Sequence, residues 1–366
     1  MAKAAAAYKK AKQPEQAADL YLELARTYKD AAEAAPAAFA AGRIHEEIAY
    51  FDEAADAYEL VVKDFAGSAS AADALYNAGV LRQALGQHDR AIAHYQAYAQ
   101  RFPSRADAAE VAFRIGAVYE DAGDDGHAEQ AFRAYAAAHR EAPRRQLEAY
   151  VRAARTGLRL GQVKRASEAL DSALKLWKRL GAGGGASDRA AARPWAAEAR
   201  YYQGELLFDE YARVSLDVKP KQLDKTLKRK SELLAKAQAV YLSVIDYEDL
   251  KWATASLYRV GQIYDAFGEA LRTAPTPAGL SDAEAAAYRD ALDSYVIDIE
   301  EKAIELFATG YRKAIEMQVY DAYTKKIRES LGRLAGNQFP PEREVRGAER
   351  VGDRSIADEL VEAIDR

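Results

Sequence analysis

Small and aromatic residues recur along the first half of the chain at a fixed interval of 37 residues. Four sets are in register: Phe39, Tyr76 and Phe113; Gly42, Gly79 and Gly116; Ala54, Ala91 and Ala128; and Tyr58, Tyr95 and Phe132. Within one copy, Ala91, Tyr95 and Tyr98 follow each other by four and three residues, so they share one face of a helix. The pattern predicts two helices per copy, the first containing the glycine and the second containing the alanine.

The small residues of each copy have a steric explanation. Gly79 on the first helix and Ala91 on the second let two antiparallel helices approach closely, and the neighbouring aromatic rings fill the space around the crossing. Gly86 supplies the turn between the two helices. Pro103 ends the second helix because proline cannot continue it. Each copy is therefore predicted to be one helix-turn-helix unit.

The same phase continues on both sides of these three copies. The matching residues are Ala17, Tyr21 and Leu24 before them, and Gly161, Ala166, Leu170 and Ala173 after them, with one residue inserted. The sequence therefore predicts five repeats of 37–38 residues over positions 1–180. The stretch "LGAGGGASDRAAARP" then predicts a Gly-rich loop over 181–194, because glycine and proline interrupt a helical pattern.

Helix pairing is expected to resume after this loop in longer and less regular units. Tyr201 and Tyr258 each stand three residues before a glycine, as the aromatic residues of the earlier first helices do, so divergent helix pairs are predicted over 195–338. The whole chain is expected to contain about eight pairs. A charged tail over 339–366 carries a short amphipathic pattern suited to capping the array, formed by Ile356, Leu360, Val361 and Ile364.

The period and the placement of Gly, Ala and aromatic residues resemble the tetratricopeptide repeat (TPR), a 34-residue helix-turn-helix unit. This resemblance implies an all-α, TPR-like α-solenoid, a right-handed superhelix of antiparallel helix pairs stabilised by packing between neighbours. The three extra residues per unit, with "RFPSRADAAEVAFRIG" and "DFAGSASAADALYNAG", resemble long-helix TPR proteins of bacterial envelopes, such as the lipoprotein subunit of β-barrel assembly and the periplasmic partner of the Tol system. From "VIDYEDLKWATASLYRVGQIYDAFGEALRTAP" to "FPPEREVRG", the chain is similar to C-terminal repeats of TPR proteins from gliding delta-proteobacteria.

Composition narrows the possible functions. With a net charge of −5 and a pI near 5.8, the chain has no overall attraction for nucleic acid, whose phosphates are bound by Lys and Arg. It contains no cysteine, which excludes disulfides, thiolate nucleophiles and zinc sites with cysteine ligands. No apolar run reaches the 18 residues that indicate a membrane span, and "MAKAAAAYKKAK" lacks the apolar core of a signal peptide. We therefore expect no transmembrane segment.

Motifs that would indicate catalysis, metal binding or cofactor binding are weak. "GAGGGA" fits a dinucleotide fingerprint, but that motif follows a strand and here a helix is predicted. None of the five histidines pairs with another at the spacing of a helical metal site, and "EDAGDDGH" lacks the alternation of an EF-hand loop. The basic run over 219–230 has no interleaved aromatic residues for base stacking. We expect no catalytic residue, metal or cofactor, and no enzymatic activity.

The TPR resemblance implies that the first helices line a concave groove that binds peptides. The predicted groove residues are Phe39, Arg43, Glu46, Glu47, Asp73, Tyr76, Glu110, Phe113, Glu120 and Asp121. They form an aromatic series with an acidic rim, which favours a basic partner segment in an extended or helical conformation. TPR clamps for chaperone C-termini use Lys, Arg and Asn at these faces; this groove keeps Arg43 and Asn77 but has no lysine, so chaperone binding is not expected.

The most favoured function is a non-enzymatic scaffold for protein–protein interactions. The envelope resemblances suggest a bacterial envelope complex in the periplasm, with Tol-like machinery as a partner and a link to gliding motility. The alternative is a cytoplasmic TPR regulator that binds a signalling protein. A catalytic solenoid is disfavoured by the missing motifs. The sequence leaves open which protein is bound and whether the N-terminus is native or trimmed.

Overall fold

A computed structural model describes residues 1–183, 185–277 and 279–340 of the chain. Over these residues the regular structure consists of fifteen α-helices and one short 3₁₀ helix, η1 (Ile245–Tyr247). The first ten helices are α1 (Ala2–Lys10), α2 (Pro14–Thr27), α3 (Ala34–Glu47), α4 (Phe51–Asp64), α5 (Ala71–Ala84), α6 (His88–Arg101), α7 (Ala108–Asp121), α8 (Asp125–Ala138), α9 (Pro143–Arg159) and α10 (Val163–Gly183). The prediction of an all-α protein is confirmed, and these ten helices form five consecutive pairs.

The turns inside the five pairs share one backbone geometry. Gly86, Gly123 and Gly161 have φ of +72°, +74° and +69°, the left-handed region that glycine adopts without steric cost. The equivalent residue in the α3–α4 turn is Ala49, with φ of +61°, and in the α1–α2 turn it is Lys12, with φ of +58°. The repeat therefore specifies a turn conformation even where the sequence does not supply a glycine.

In five of the pairs, a glycine of the first helix meets an aromatic ring of the second. A Cβ atom added to these glycines would lie 2.7 Å from Tyr58 at Gly42, 2.6 Å from Tyr95 at Gly79, 2.8 Å from Phe132 at Gly116, 2.5 Å from Tyr241 at Gly204 and 2.5 Å from Phe307 at Gly261. Each ring therefore occupies the space that a side chain on the first helix would need. The predicted steric role of glycine is confirmed in the first three of these pairs, and the structure adds two more.

The predicted loop over 181–194 is wrong. Helix α10 continues to Gly183, and α11 (Ala186–Arg213) begins three residues later with Pro194 inside it. Leu180 is 6% exposed and belongs to the same buried cluster as Ala192 and Ala196. Burial of this apolar surface explains why α10 extends to Gly183 and α11 begins as early as Ala186, although the segment is rich in glycine.

The remaining helices are α12 (Pro220–Leu242), α13 (Leu250–Arg272), α14 (Asp282–Glu316) and α15 (Ala322–Leu334). The described helices thus form seven pairs and a final single helix, close to the eight pairs predicted. The chain divides into two compact units, one of residues 1–213 with 232–253 and the other of 214–231 with the chain from 254 onward. This division differs from the predicted boundary near residue 180, since α12 and α13 each contribute to both units. The tail from 341 to 366, with its amphipathic pattern, lies outside the described residues.

Candidate functional site

The first helices of the N-terminal unit present a series of equivalent side chains, because α3, α5 and α7 have equal lengths and a common repeat interval. We call the side of the first helices that carries these equivalent side chains the first-helix face. Phe39 and Tyr76 lie on it and are partly exposed. The Phe39 ring centroid is 5.1 Å from that of Tyr58, and the Tyr76 centroid is 6.4 Å from that of Tyr95. Both rings therefore cover the core of a helix pair and keep part of their surface accessible.

Phe113 occupies the equivalent position in α7 but is buried, with 4% exposure. Its ring centroid lies 5.4 Å from Phe132 and 5.2 Å from Tyr135, and the Arg145 guanidinium lies 4.7 Å above the ring. The prediction of a third exposed ring in the groove therefore needs correction. Phe113 is a core residue because α9 covers it with an arginine.

Each first helix carries a polar residue four positions after its glycine, that is, after Gly42, Gly79 or Gly116. This polar residue faces the aromatic residue of the second helix. In one repeat the Tyr58 hydroxyl donates to Glu46, with exposed Arg43 nearby. In the next, the Tyr95 hydroxyl donates to Gln83 Oε1 at 3.3 Å, and burial raises the pKa of Tyr95 to about 12. Both polar side chains are therefore tied to the core of their own helix pair.

Glu120 is the equivalent residue of α7, but its surroundings differ because Phe132 has no hydroxyl. Three arginines of α9 donate to its carboxylate instead: Arg152 at 2.9 Å, Arg155 at 2.7 Å and Arg159 at 3.4 Å. Burial raises the pKa of Glu120, but the arginines outweigh this effect and hold the pKa below its ordinary value. Glu120 is therefore the centre of an ion cluster and not the exposed acidic residue that was predicted.

Most of the other predicted acidic residues also have a partner within the chain. Glu47 pairs with Lys9 at 2.8 Å, Asp73 with Arg105 at 3.0 Å, Glu110 with Arg145 at 2.7 Å, and Asp121 accepts from the Gln83 amide at 2.9 Å. The pairs of Glu47 and Asp73 are exposed on both sides, and such pairs contribute only about 0–1 kcal/mol to stability. The rim is thus less acidic than predicted, although these two pairs can open at little cost.

Sequence reasoning missed the arginines of α9. Arg145, Arg152, Arg155 and Arg159 reach the carboxylates of α7, and Arg155 also contacts Glu198 of α11 at 3.2 Å. Glu198 is 5% exposed, and its burial raises its pKa. The spacing of the arginines in "PRRQLEAYVRAARTGLR" was the available signal, since it places them on one side of a helix. Beyond α7, the first-helix face is therefore a network of Arg and Glu.

Among the described residues, no group of three or more His, Cys, Asp or Glu side chains is arranged to hold a metal ion. No helix within the same residues is long and apolar enough to cross a membrane.

The paired helices define an all-α protein with a TPR-like solenoid fold, and this fold indicates a scaffold for protein–protein interactions. Residues 73–104, which cover most of α5 and all of α6, match the family model of the tetratricopeptide repeat. A comparison with curated proteins gave no match.

The chain is similar to several solved structures of TPR proteins, at low sequence identity. The C-terminal part of a TPR repeat-containing protein from Cytophaga hutchinsonii is 14% identical, with 84% of this chain and 99% of that chain covered and a TM-score of 0.40. A tetratricopeptide repeat protein from Parabacteroides merdae is 13% identical, with coverages of 82% and 98% and a TM-score of 0.35. YrrB, described as a TPR protein with an unusual peptide-binding site, is 22% identical, with coverages of 48% and 84% and a TM-score of 0.33. The helix pairs themselves define the fold.

Proposed function

We propose that the protein is a non-enzymatic scaffold whose first-helix face, on α3, α5 and α7, binds an extended or helical segment of a partner protein. The observation that carries this proposal is the partly exposed pair Phe39 and Tyr76, which stand at equivalent repeat positions. Arg43 follows Phe39 by four residues and Asn77 follows Tyr76 directly, and both add groups that can donate hydrogen bonds. Aromatic anchors beside polar groups are typical of surfaces that bind peptides.

The carboxylates of this face favour a basic segment. Glu46 and Asp121 accept hydrogen bonds only from a hydroxyl and an amide, and within the described residues neither forms an ion pair. Glu47 and Asp73 pair with exposed cations, which the Lys or Arg side chains of a partner can replace. Glu110 and Glu120 are excluded from this role because the α9 arginines hold them.

An affinity capture from native cells tests the proposal. The double variant Asp73→Lys/Asp121→Lys reverses two exposed charges on the first-helix face. The variant Asp19→Lys/Glu53→Lys makes the same total charge change on exposed positions of second helices, and serves as the matched control. We expect the first variant to lose partners that the wild type and the control retain, with unchanged circular dichroism. Retention of every partner by the first variant contradicts binding at this face.

We further propose that the scaffold belongs to a bacterial envelope complex with Tol-like partners. The long repeats support this proposal by their resemblance to envelope TPR proteins, and the C-terminal helices support a link to gliding motility by theirs. Fractionation of native cells provides the test. Recovery with the periplasm or the envelope is expected, whereas exclusive recovery from the cytosol favours the alternative, a cytoplasmic regulator of a signalling protein.

A further inference from the structure

A second surface of the N-terminal unit collects positive charge. A cleft of about 680 Å³ lies between α10, α11 and the segment 243–247. We call it the basic cleft and define it by its cations and aromatic walls: Lys175, Lys178, Arg189, Arg200, Trp177 and Tyr247. Three separate chain segments thus bring four cations together around two aromatic rings.

Two cations of the basic cleft, Arg189 and Arg200, contact neutral groups. The Arg189 guanidinium lies 4.9 Å from the centroid of the Trp177 ring. Arg200 donates to Ser243 Oγ at 2.7 Å and to Gln203 Oε1 at 2.8 Å. Across the part of the chain that the structure describes, none of the four cations forms an ion pair with a carboxylate. The arginines of α9 differ in this respect, because each of those in the ion cluster has a carboxylate partner.

The acidic residues of the cleft do not balance this charge. Two acidic residues, Asp171 and Asp246, line the cleft, compared with four cations. Asp171 also accepts a hydrogen bond from the Gln203 amide at 2.7 Å. A local excess of positive charge therefore persists in a chain whose net charge is −5. Like charges held close together oppose folding, so attraction between charges within the chain does not account for this cluster.

Gly181 shows how the cleft is built. The Arg189 guanidinium occupies the position next to Gly181 where a side chain would otherwise project. The glycine therefore lets Arg189 cross the end of α10 and reach the Trp177 ring. Gly181, the first glycine of "LGAGGG", therefore makes room for Arg189 in the cleft.

We infer that the basic cleft binds an acidic peptide segment of a partner protein, with carboxylates that contact the Lys and Arg side chains. Nucleic acid fits less well, because a base needs a free aromatic face for stacking. In this cleft one face of Trp177 carries Arg189, and the Tyr247 ring stands 5.7 Å away at a tilt. The carboxylates of an acidic peptide can form ion pairs with these lysines and arginines, and such pairs do not require an open aromatic face.

This site lies on a different side of α11 from the first-helix face. Glu198 joins the ion cluster of α9, whereas Arg200 lines the basic cleft, and residues two apart on a helix point in nearly opposite directions. The inference therefore goes beyond the proposed function. The scaffold has two surfaces of opposite charge preference, one for a basic segment and one for an acidic segment.

Fluorescence anisotropy with defined probes tests the basic cleft. The probes are labelled octapeptides, one of alternating Asp and Glu and one of alternating Asn and Gln, and a single-stranded thymidine octanucleotide. The variant Lys175→Gln/Lys178→Gln removes two exposed charges from the cleft, and Arg26→Gln/Lys63→Gln removes two exposed charges from α2 and α4 as a matched control. Arg189→Gln removes the third cation.

We expect the acidic octapeptide to bind the wild type and the control equally, and the double cleft variant about tenfold more weakly. Arg189→Gln is expected to weaken binding as well, and added salt is expected to weaken it in the wild type. The neutral octapeptide should not bind. The inference is overturned if the acidic octapeptide does not bind the wild type, if the cleft variants bind it as tightly as the wild type, or if the oligonucleotide binds more tightly through the same residues. None of these variants alters the first-helix face, so failure here is distinguishable from failure of the proposed function.

Discussion

Gly79 of α5 lies directly against the Tyr95 ring of α6: a Cβ atom on Gly79 would stand 2.6 Å from Tyr95 Cε1. Carbon atoms do not approach so closely without strain, so the two helices reach their spacing only because position 79 has no side chain. The same relationship recurs at Gly42 with Tyr58 and at Gly116 with Phe132. The fixed interval in the sequence therefore reflects one packing contact repeated along the chain.

Replacing Gly79 by alanine is expected to destabilise the protein by about 1–3 kcal/mol, because the methyl group overpacks the contact with Tyr95. Gly157→Ala is the matched control, since a Cβ there would meet its nearest neighbour, the Ala166 Cβ, at an ordinary 3.6 Å. That change should be neutral or slightly stabilising, as alanine favours helix. Urea denaturation of both variants checks the difference, and equal effects would contradict the packing role.

The sequence was informative about contacts within one helix pair. Gly79, Tyr95 and the turn residue Gly86 recur at fixed positions, so their roles follow from spacing and residue size. The left-handed turn at Ala49 was not predictable from its own residue type, because alanine disfavours that conformation. Only its position relative to Gly86 reveals it.

Contacts between neighbouring pairs were less predictable. Glu120 and Phe113 were expected to be exposed, but both are covered by arginines that lie 32 or more residues further along the chain. Each such ion pair depends on the relative placement of two helices, and the repeat pattern does not specify which charged side chains meet. The loop predicted over 181–194 was wrong for a related reason: burial of Leu180 against α11 outweighs the low helix propensity of glycine.

Ala49→Gly is expected to stabilise the protein by about 0.5–1 kcal/mol, because it relieves the cost of a positive φ in a residue with a side chain. Ala93→Gly, at an exposed position inside α6, should instead destabilise it by about 1 kcal/mol through the greater flexibility of glycine. Thermal or urea unfolding of both variants measures the two changes. A loss of stability for Ala49→Gly would contradict the claim that alanine is strained at this positive φ.

Glu120→Lys is expected to destabilise the protein by at least about 2 kcal/mol, because it leaves three arginines without their shared carboxylate and adds a like charge. The adjacent change Asp121→Lys should cost less than about 0.5 kcal/mol, since this residue is exposed. Comparing the two free energies of unfolding provides the check. Equal and small losses would mean that the cluster around Glu120 contributes little.

Glu59 is expected to make stability depend on acid pH. Burial raises its pKa, but hydrogen bonds from His94 and Arg82 outweigh this effect and hold the pKa well below the ordinary 4.5; Arg90 also contacts the carboxylate. Because the folded state binds this proton less tightly than the unfolded state, the contribution of Glu59 is present above pH 4.5 and is lost as the pH falls further.

Unfolding free energies of the wild type and Glu59→Gln, measured between pH 5.5 and 3, isolate that contribution. The wild type should be the more stable protein at the upper end, and the difference should shrink as the pH falls. A difference that stays constant over this range would exclude a role for the ionised carboxylate of Glu59.

Site-specific photo-crosslinking tests most directly whether the first-helix face binds the partner. The chain has no cysteine, so a single introduced cysteine carries the crosslinker at one known position. Arg43→Cys and Asp73→Cys place it on the first-helix face, and Ala93→Cys and Gln130→Cys place it on exposed positions of the second helices α6 and α8. After incubation with the partner captured from native cells, crosslinks are predicted from positions 43 and 73 and not from 93 and 130. Crosslinks from the second-helix positions alone would contradict binding at the first-helix face.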